Sequence, residues 1–130
     1  MTSRPTIPTK VSEPTAVSRI RRGWIVLLVL AMVVQLVVLY VPTAPGGPGL
    51  AHLDKLIHAS VFAAPTLVGL MTGLSRWWVV GLLALHAPVS ELLQASLLAH
   101  RDGSGWDVVA DLTGVLLALA VFLVWRRTRR

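Results

Sequence analysis

Residues 24–41, WIVLLVLAMVVQLVVLYV, are apolar except for Gln35 and Tyr40. As a helix, a run of this length crosses a hydrocarbon layer of about 30 Å. Arg19, Arg21 and Arg22 precede it, and the loop PTAPGGPG (42–49) follows, where proline and glycine forbid the helix to continue. A basic stretch before an apolar one also fits a secretory signal. The run is longer than the usual h-region, however, and Pro45 directly follows the one small-residue cleavage candidate, Thr43-Ala44. A membrane helix is therefore expected.

The same reading extends outward to three more apolar segments, at about 54–73, 77–99 and 106–125, joined by LSR (74–76) and HRDGSG (100–105) and closed by RRTRR (126–130). Pro65 and Pro88 fall inside two of them, where a membrane helix tolerates proline if its neighbours satisfy the freed carbonyls. Gly69 and Gly73, with Ala59, Ser60, Ala63 and Ala64, give the second segment a small-residue side suited to close helix approach. Residues 1–18, rich in Thr, Ser and Pro without period, read as a disordered cytoplasmic tail. The sequence thus predicts an all-α integral membrane bundle of four transmembrane helices, one domain over 19–130.

Composition supports this. With 55% hydrophobic and 14% charged residues, the chain carries more apolar surface than a water-soluble domain of 130 residues hides. No cysteine is present, which excludes thiolate metal sites and disulfides. The net charge of +6 does not point to nucleic acid, because the basic residues flank apolar runs instead of forming a patch among polar readers.

Placing both chain ends in the cytoplasm puts ten of the twelve basic residues on that side, leaving Lys55 and Arg101 across the membrane. That is the orientation the positive-inside bias favours. Trp77 and Trp78 then fall at the inner interface and Trp106 at the outer one. The acids sort oppositely: apart from Glu13, all of Asp54, Glu91, Asp102, Asp107 and Asp111 lie in the outer half, with His52, His58 and His100.

Helical geometry stacks part of this set. His58 sits one turn below Asp54, and Asp111 one turn below Asp107 with Gly114 on the same face. Gln94 falls about 8 Å and Glu91 about 12 Å below a helix end near Ala99. His58, Gln94 and Asp111 are expected to share a layer, with Glu91 beneath it and Asp54, Lys55, Arg101 and Asp107 above it. A charged group such as Glu91 within a span costs at least about 2.5 kcal/mol, so it should face the bundle interior with a partner.

Several readings of the layer stay open. It is a polar clamp fixing helix register, with Arg101 on Glu91 or Asp107 and His58 on Asp54 or Asp111. Or it is a site open to the outer leaflet, with catalytic candidates His58, Glu91, Asp107 and Asp111, and with Asp54, Lys55, Gln94 and Arg101 as substrate-binding candidates that hold an anionic headgroup or phosphate. A metal site of His58, Asp54, Glu91 and Asp111 has acceptable ligand types without diagnostic spacing. A transporter or channel fits least, since the inner halves of the helices lack polar residues to line a path. His86 reads as a helix-to-helix hydrogen-bond donor in preference to a haem ligand, and no cofactor is named by the sequence.

The motifs DKLIHASVFAAP (54–65), SELLQ (90–94), Arg101 and DVVADLTG (107–114), in this order, resemble the VanZ-like family of small bacterial membrane proteins over about residues 24–125. The resemblance implies a four-helix protein of the bacterial cell envelope, whose namesake is associated with resistance to the glycopeptide teicoplanin. It implies functional positions at Asp54, Lys55, His58, Glu91, Gln94, Arg101 and Asp107. The shared polar layer then makes membrane lipids or lipid-linked envelope precursors the expected partners of an outward-facing site. Two positions depart from the family pattern: Asp111 stands where Asn is common, and Ala99-His100 replaces a frequent Pro-Gly.

Overall fold

The computed structural model describes residues 16–41, 51–98 and 104–130. They form four α-helices: α1 (Ala16–Tyr40), α2 (Ala51–Met71), α3 (Arg76–Leu97) and α4 (Gly105–Thr128). Each contains a window long and apolar enough to cross a membrane. The all-α class and the four expected helices are present.

Helix ends differ from the expected ones. α1 begins at Ala16, so residues 16–18 are helical and not part of an irregular tail, and the three arginines sit on its opening turns. Arginine has high helix propensity, and its exposed charge is solvated as well on a helix as off it. The rest of the expected tail, 1–15, lies outside the described residues. α2 stops at Met71, and Gly73 adopts φ 80°, the left-handed conformation a glycine after a helix end takes without a Cβ penalty. Thr72 ties this turn, donating its hydroxyl to the Gly69 carbonyl at 2.6 Å and accepting the Leu74 amide at 3.2 Å. α3 ends at Leu97, short of Ala99, and α4 runs on to Thr128 through Arg126 and Arg127.

α2 is the hub. It packs against all three other helices, most extensively against α4, and α1 makes no close backbone approach to α4 among the described residues. The reason is the α2–α4 seam: a Cβ added to Gly114 would overlap the backbone carbonyl of Ala59, so the two backbones touch where side chains would ordinarily separate them. The expected small-residue side of α2 is therefore used at Ala59. Gly69 serves a different neighbour, with Val79 of α3 2.9 Å from its would-be Cβ. Ser60 and Ala64 are exposed, and Gly73 lies beyond the helix.

The core is a narrow column including Leu39, Phe62, Leu70, Leu83, Ala87 and Val115. Outside it, apolar residues face outward: Val26, Leu30, Val34, Leu85, Leu116 and Val124 are all exposed. Such a surface is far larger than a water-soluble monomer carries. The helices continue through Pro65 and Pro88, and Thr66 and Ser90, one and two residues further on, donate their hydroxyls to the carbonyls of Phe62 and Ala87 at 2.7 and 2.8 Å.

The two ends of the bundle differ in charge. Trp24, Leu70, Met71, Arg76 and Arg126 line one cavity, which brings the start of α1, the end of α2, the start of α3 and the end of α4 to the same end. Both described chain ends therefore leave the bundle together. Among the described residues, Asp54, Glu91, Asp107 and Asp111 occupy the opposite end with His58.

Candidate functional site

Three helices build the polar end. α2 enters with Asp54 in its first turn and His58 one turn on, α4 enters with Asp107 and Asp111, and α3 leaves with Glu91 and Gln94. The i, i+4 spacing on α2 and α4 puts each pair on one face, and the backbone approach at Gly114 and Ala59 presses those faces together. His58 is 2% exposed, Glu91 5%, Gln94 1% and Asp111 0%. Four polar side chains are thus withdrawn from solvent and have to satisfy one another.

His58 is the centre. Its Nδ1 lies 3.0 Å from Asp111 Oδ1 and 3.6 Å from Glu91 Oε1. An ionised carboxylate only accepts, so Nδ1–H donates to Asp111, which leaves the lone pair on Nε2. Glu91 is held by two further donors: the Gln94 amide reaches Oε1 at 3.4 Å, and the backbone N–H of Ser104 reaches Oε2 at 3.0 Å. Ser104 is the N-cap of α4, so a side chain of α3 anchors the start of the next helix, where partial positive charge gathers. At the mouth, Lys55 donates to Asp107 Oδ1 at 2.9 Å, with side chains 40% and 12% exposed.

Asp54 and Asp107 each offer an oxygen that lies with a His58 nitrogen inside a 4.8 Å cluster, and His58, Glu91 and Asp111 form a second such group, wholly buried. The second has the donor types of a Zn²⁺ or Mn²⁺ site. In both groups, His58 is the shared ligand.

Seven of the eight residues singled out from sequence therefore converge: Asp54, Lys55, His58, Glu91, Gln94, Asp107 and Asp111. Arg101, with His100 and Asp102, lies outside the described residues. One expectation needs correction: Glu91 is not beneath the layer but in it, touching His58 directly. Because α3 ends at Leu97, Glu91 is six residues from the helix end, about 9 Å at the helical rise, and its long side chain reaches Ser104.

One participant was not visible in the sequence: the Ser104 amide is a backbone group with no residue-type signal. Gln35 on α1 is 0% exposed, and neither its Nε2 nor its Oε1 has a hydrogen-bond partner among the described residues. Asp111 Oδ2 and His86 Nδ1 are also buried without one. The hydrogen bond expected of His86 is absent at that nitrogen; its ring packs against Phe62, centroids 5.4 Å apart. Comparison of the chain with protein-family models, with curated proteins and with solved structures returned no match.

Proposed function

We propose that the chain is a multi-pass cell-membrane protein of the VanZ-like kind, both ends cytoplasmic, whose polar end faces outward and binds or acts on a lipid-linked or cell-wall precursor. One observation carries the reading: the His58–Asp111–Glu91 cluster, assembled from three helices and buried. Asp111 fixes the imidazole tautomer and leaves Nε2 as a base, the arrangement by which carboxylates orient catalytic histidines. Glu91 Oε1 stands 3.6 Å from the same ring, where a carboxylate favours the imidazolium that a base becomes on taking a proton. Lys55, half-exposed at the mouth, supplies a cation for a phosphate or carboxylate on the precursor, and Arg101 is the second cation the sequence offers.

Orientation follows from the charges. The basic end carries Arg19, Arg21, Arg22, Arg76 and the closing arginines, and the positive-inside bias assigns it to the cytoplasm. Since the chain has no cysteine, Thr2→Cys and Thr128→Cys variants carry one thiol each. Both are expected to react with an impermeant maleimide only after the cells are opened; a label taken up by either from intact cells overturns the orientation.

The test of the site is His58→Gln and Glu91→Gln at matched membrane abundance, read as glycopeptide susceptibility of expressing cells. Loss of any effect on susceptibility from the folded protein is the expected result. Retention of the effect in both variants removes the functional site. A second reading has its own support: Glu91 secures the Ser104 amide and Lys55 is already paired, as in a clamp that only holds helices. On that reading Glu91→Gln lowers the melting temperature and leaves the susceptibility effect of the folded fraction intact.

A further inference from the structure

At the basic end, Trp24, Leu67, Val68, Met71, Val121 and Trp125 bound an apolar slot of about 220 Å³ between α1, α2 and α4. It shares Trp24, Met71, Phe122 and Trp125 with a wider cavity of about 470 Å³, whose lining adds Arg76 and Arg126. The two are one groove with a cationic mouth and an apolar floor. Val121 stands five residues from Arg126 on α4, so the floor reaches about 8 Å along the helix from the charge.

Both guanidiniums are exposed, and neither pairs with a carboxylate among the described residues. Their described neighbours are rings: Arg76 lies 5.1 Å above Trp77, and Arg126 lies 5.7 Å from the centre of Phe122. A ring stacked on a guanidinium holds its plane and leaves its N–H donors free for an anion. A soluble anion answers the mouth and leaves the slot bare, and an uncharged alkyl chain answers the slot and leaves the arginines uncompensated. One molecule that carries a phosphate on acyl chains answers both.

We infer that the groove between α1, α2 and α4, with the start of α3 at its mouth, binds an anionic phospholipid, its phosphate on Arg76 and Arg126 and an acyl chain against Leu67, Val68 and Val121. This site lies at the end of the bundle opposite the His58 cluster and does not depend on what that cluster does. Basic pockets between membrane helices take lipid headgroups on the cytoplasmic side by the same logic.

The test is native mass spectrometry of the whole chain in neutral detergent with equimolar dioleoyl phosphatidylglycerol and dioleoyl phosphatidylcholine. One phosphatidylglycerol is expected to be retained in preference by roughly twenty-fivefold, the product of about fivefold for each arginine at a membrane surface. Arg76→Ala/Arg126→Ala is expected to bring the ratio near parity, and Arg127→Ala/Arg130→Ala, an equal loss of charge away from the groove, to leave it. Val121→Trp fills the slot and is expected to abolish retention with both arginines in place. The inference is overturned if the preference survives the first pair, if the second pair removes it equally, if Val121→Trp retains the lipid, or if glycerol 3-phosphate displaces it and so reveals a site for the free anion.

Discussion

The two ends of the bundle handle charge in opposite ways. At one, His58, Glu91 and Asp111 are buried and answer each other across three helices; at the other, Arg76 and Arg126 stay exposed and lean on aromatic rings. Burial makes the first end a mutually dependent network, since removing one partner strands the others in an apolar medium. Exposure makes the second a set of nearly independent cations, each replaceable at small cost to the fold. Stability should therefore be concentrated at the end that also carries the candidate chemistry.

The strongest way to break this contrast is His58→Ala. It leaves Asp111 and Glu91 buried beside each other without their shared partner and is expected to cost about 3–5 kcal/mol, measured by thermal unfolding in detergent. An unchanged midpoint would mean that the cluster is not a network. Next is Gly114→Ala, where one methyl meets the Ala59 carbonyl; about 3 kcal/mol is expected from overpacking at a backbone contact. A tolerated methyl there would show that α2 and α4 stand farther apart.

Gln35→Leu sharpens the comparison from the opposite sign. Its amide is buried with no partner among the described residues, so an apolar replacement of similar size is expected to stabilise by about 1–3 kcal/mol. A loss instead would show that Gln35 has a partner that its amide depends on. Smallest of all, Arg76→Ala/Arg126→Ala should leave the melting temperature in lipid-free detergent essentially unchanged while altering lipid retention. A large drop would mean the basic end is as cooperative as the polar one.

Much of the candidate site was legible because helical spacing is a local property. Asp54 with His58, and Asp107 with Asp111, share faces at i, i+4 whatever surrounds them. The apolar runs gave four helices for the same reason, with errors only at their ends, where a basic or capping residue fits equally on or off the helix. The partners were less accessible. His58 had two acids within reach of the argument, and the choice of Asp111 over Asp54 as its hydrogen-bond acceptor depends on how α2 and α4 are rotated against each other.

What the sequence determined by itself was the partition of residues along each helix axis, since hydrophobic length, charge sorting and helical rise all act along one chain. That suffices for the number of helices, for which end holds acids and which holds arginines, and for the layer in which His58 lies. The tertiary structure decided the contacts between helices: Gly114 on Ala59, Glu91 on the Ser104 amide, the slot beneath Arg126. These depend on rotation and approach between helices, and an apolar surface that is satisfied equally by lipid and by protein leaves only small residues and polar groups to fix them.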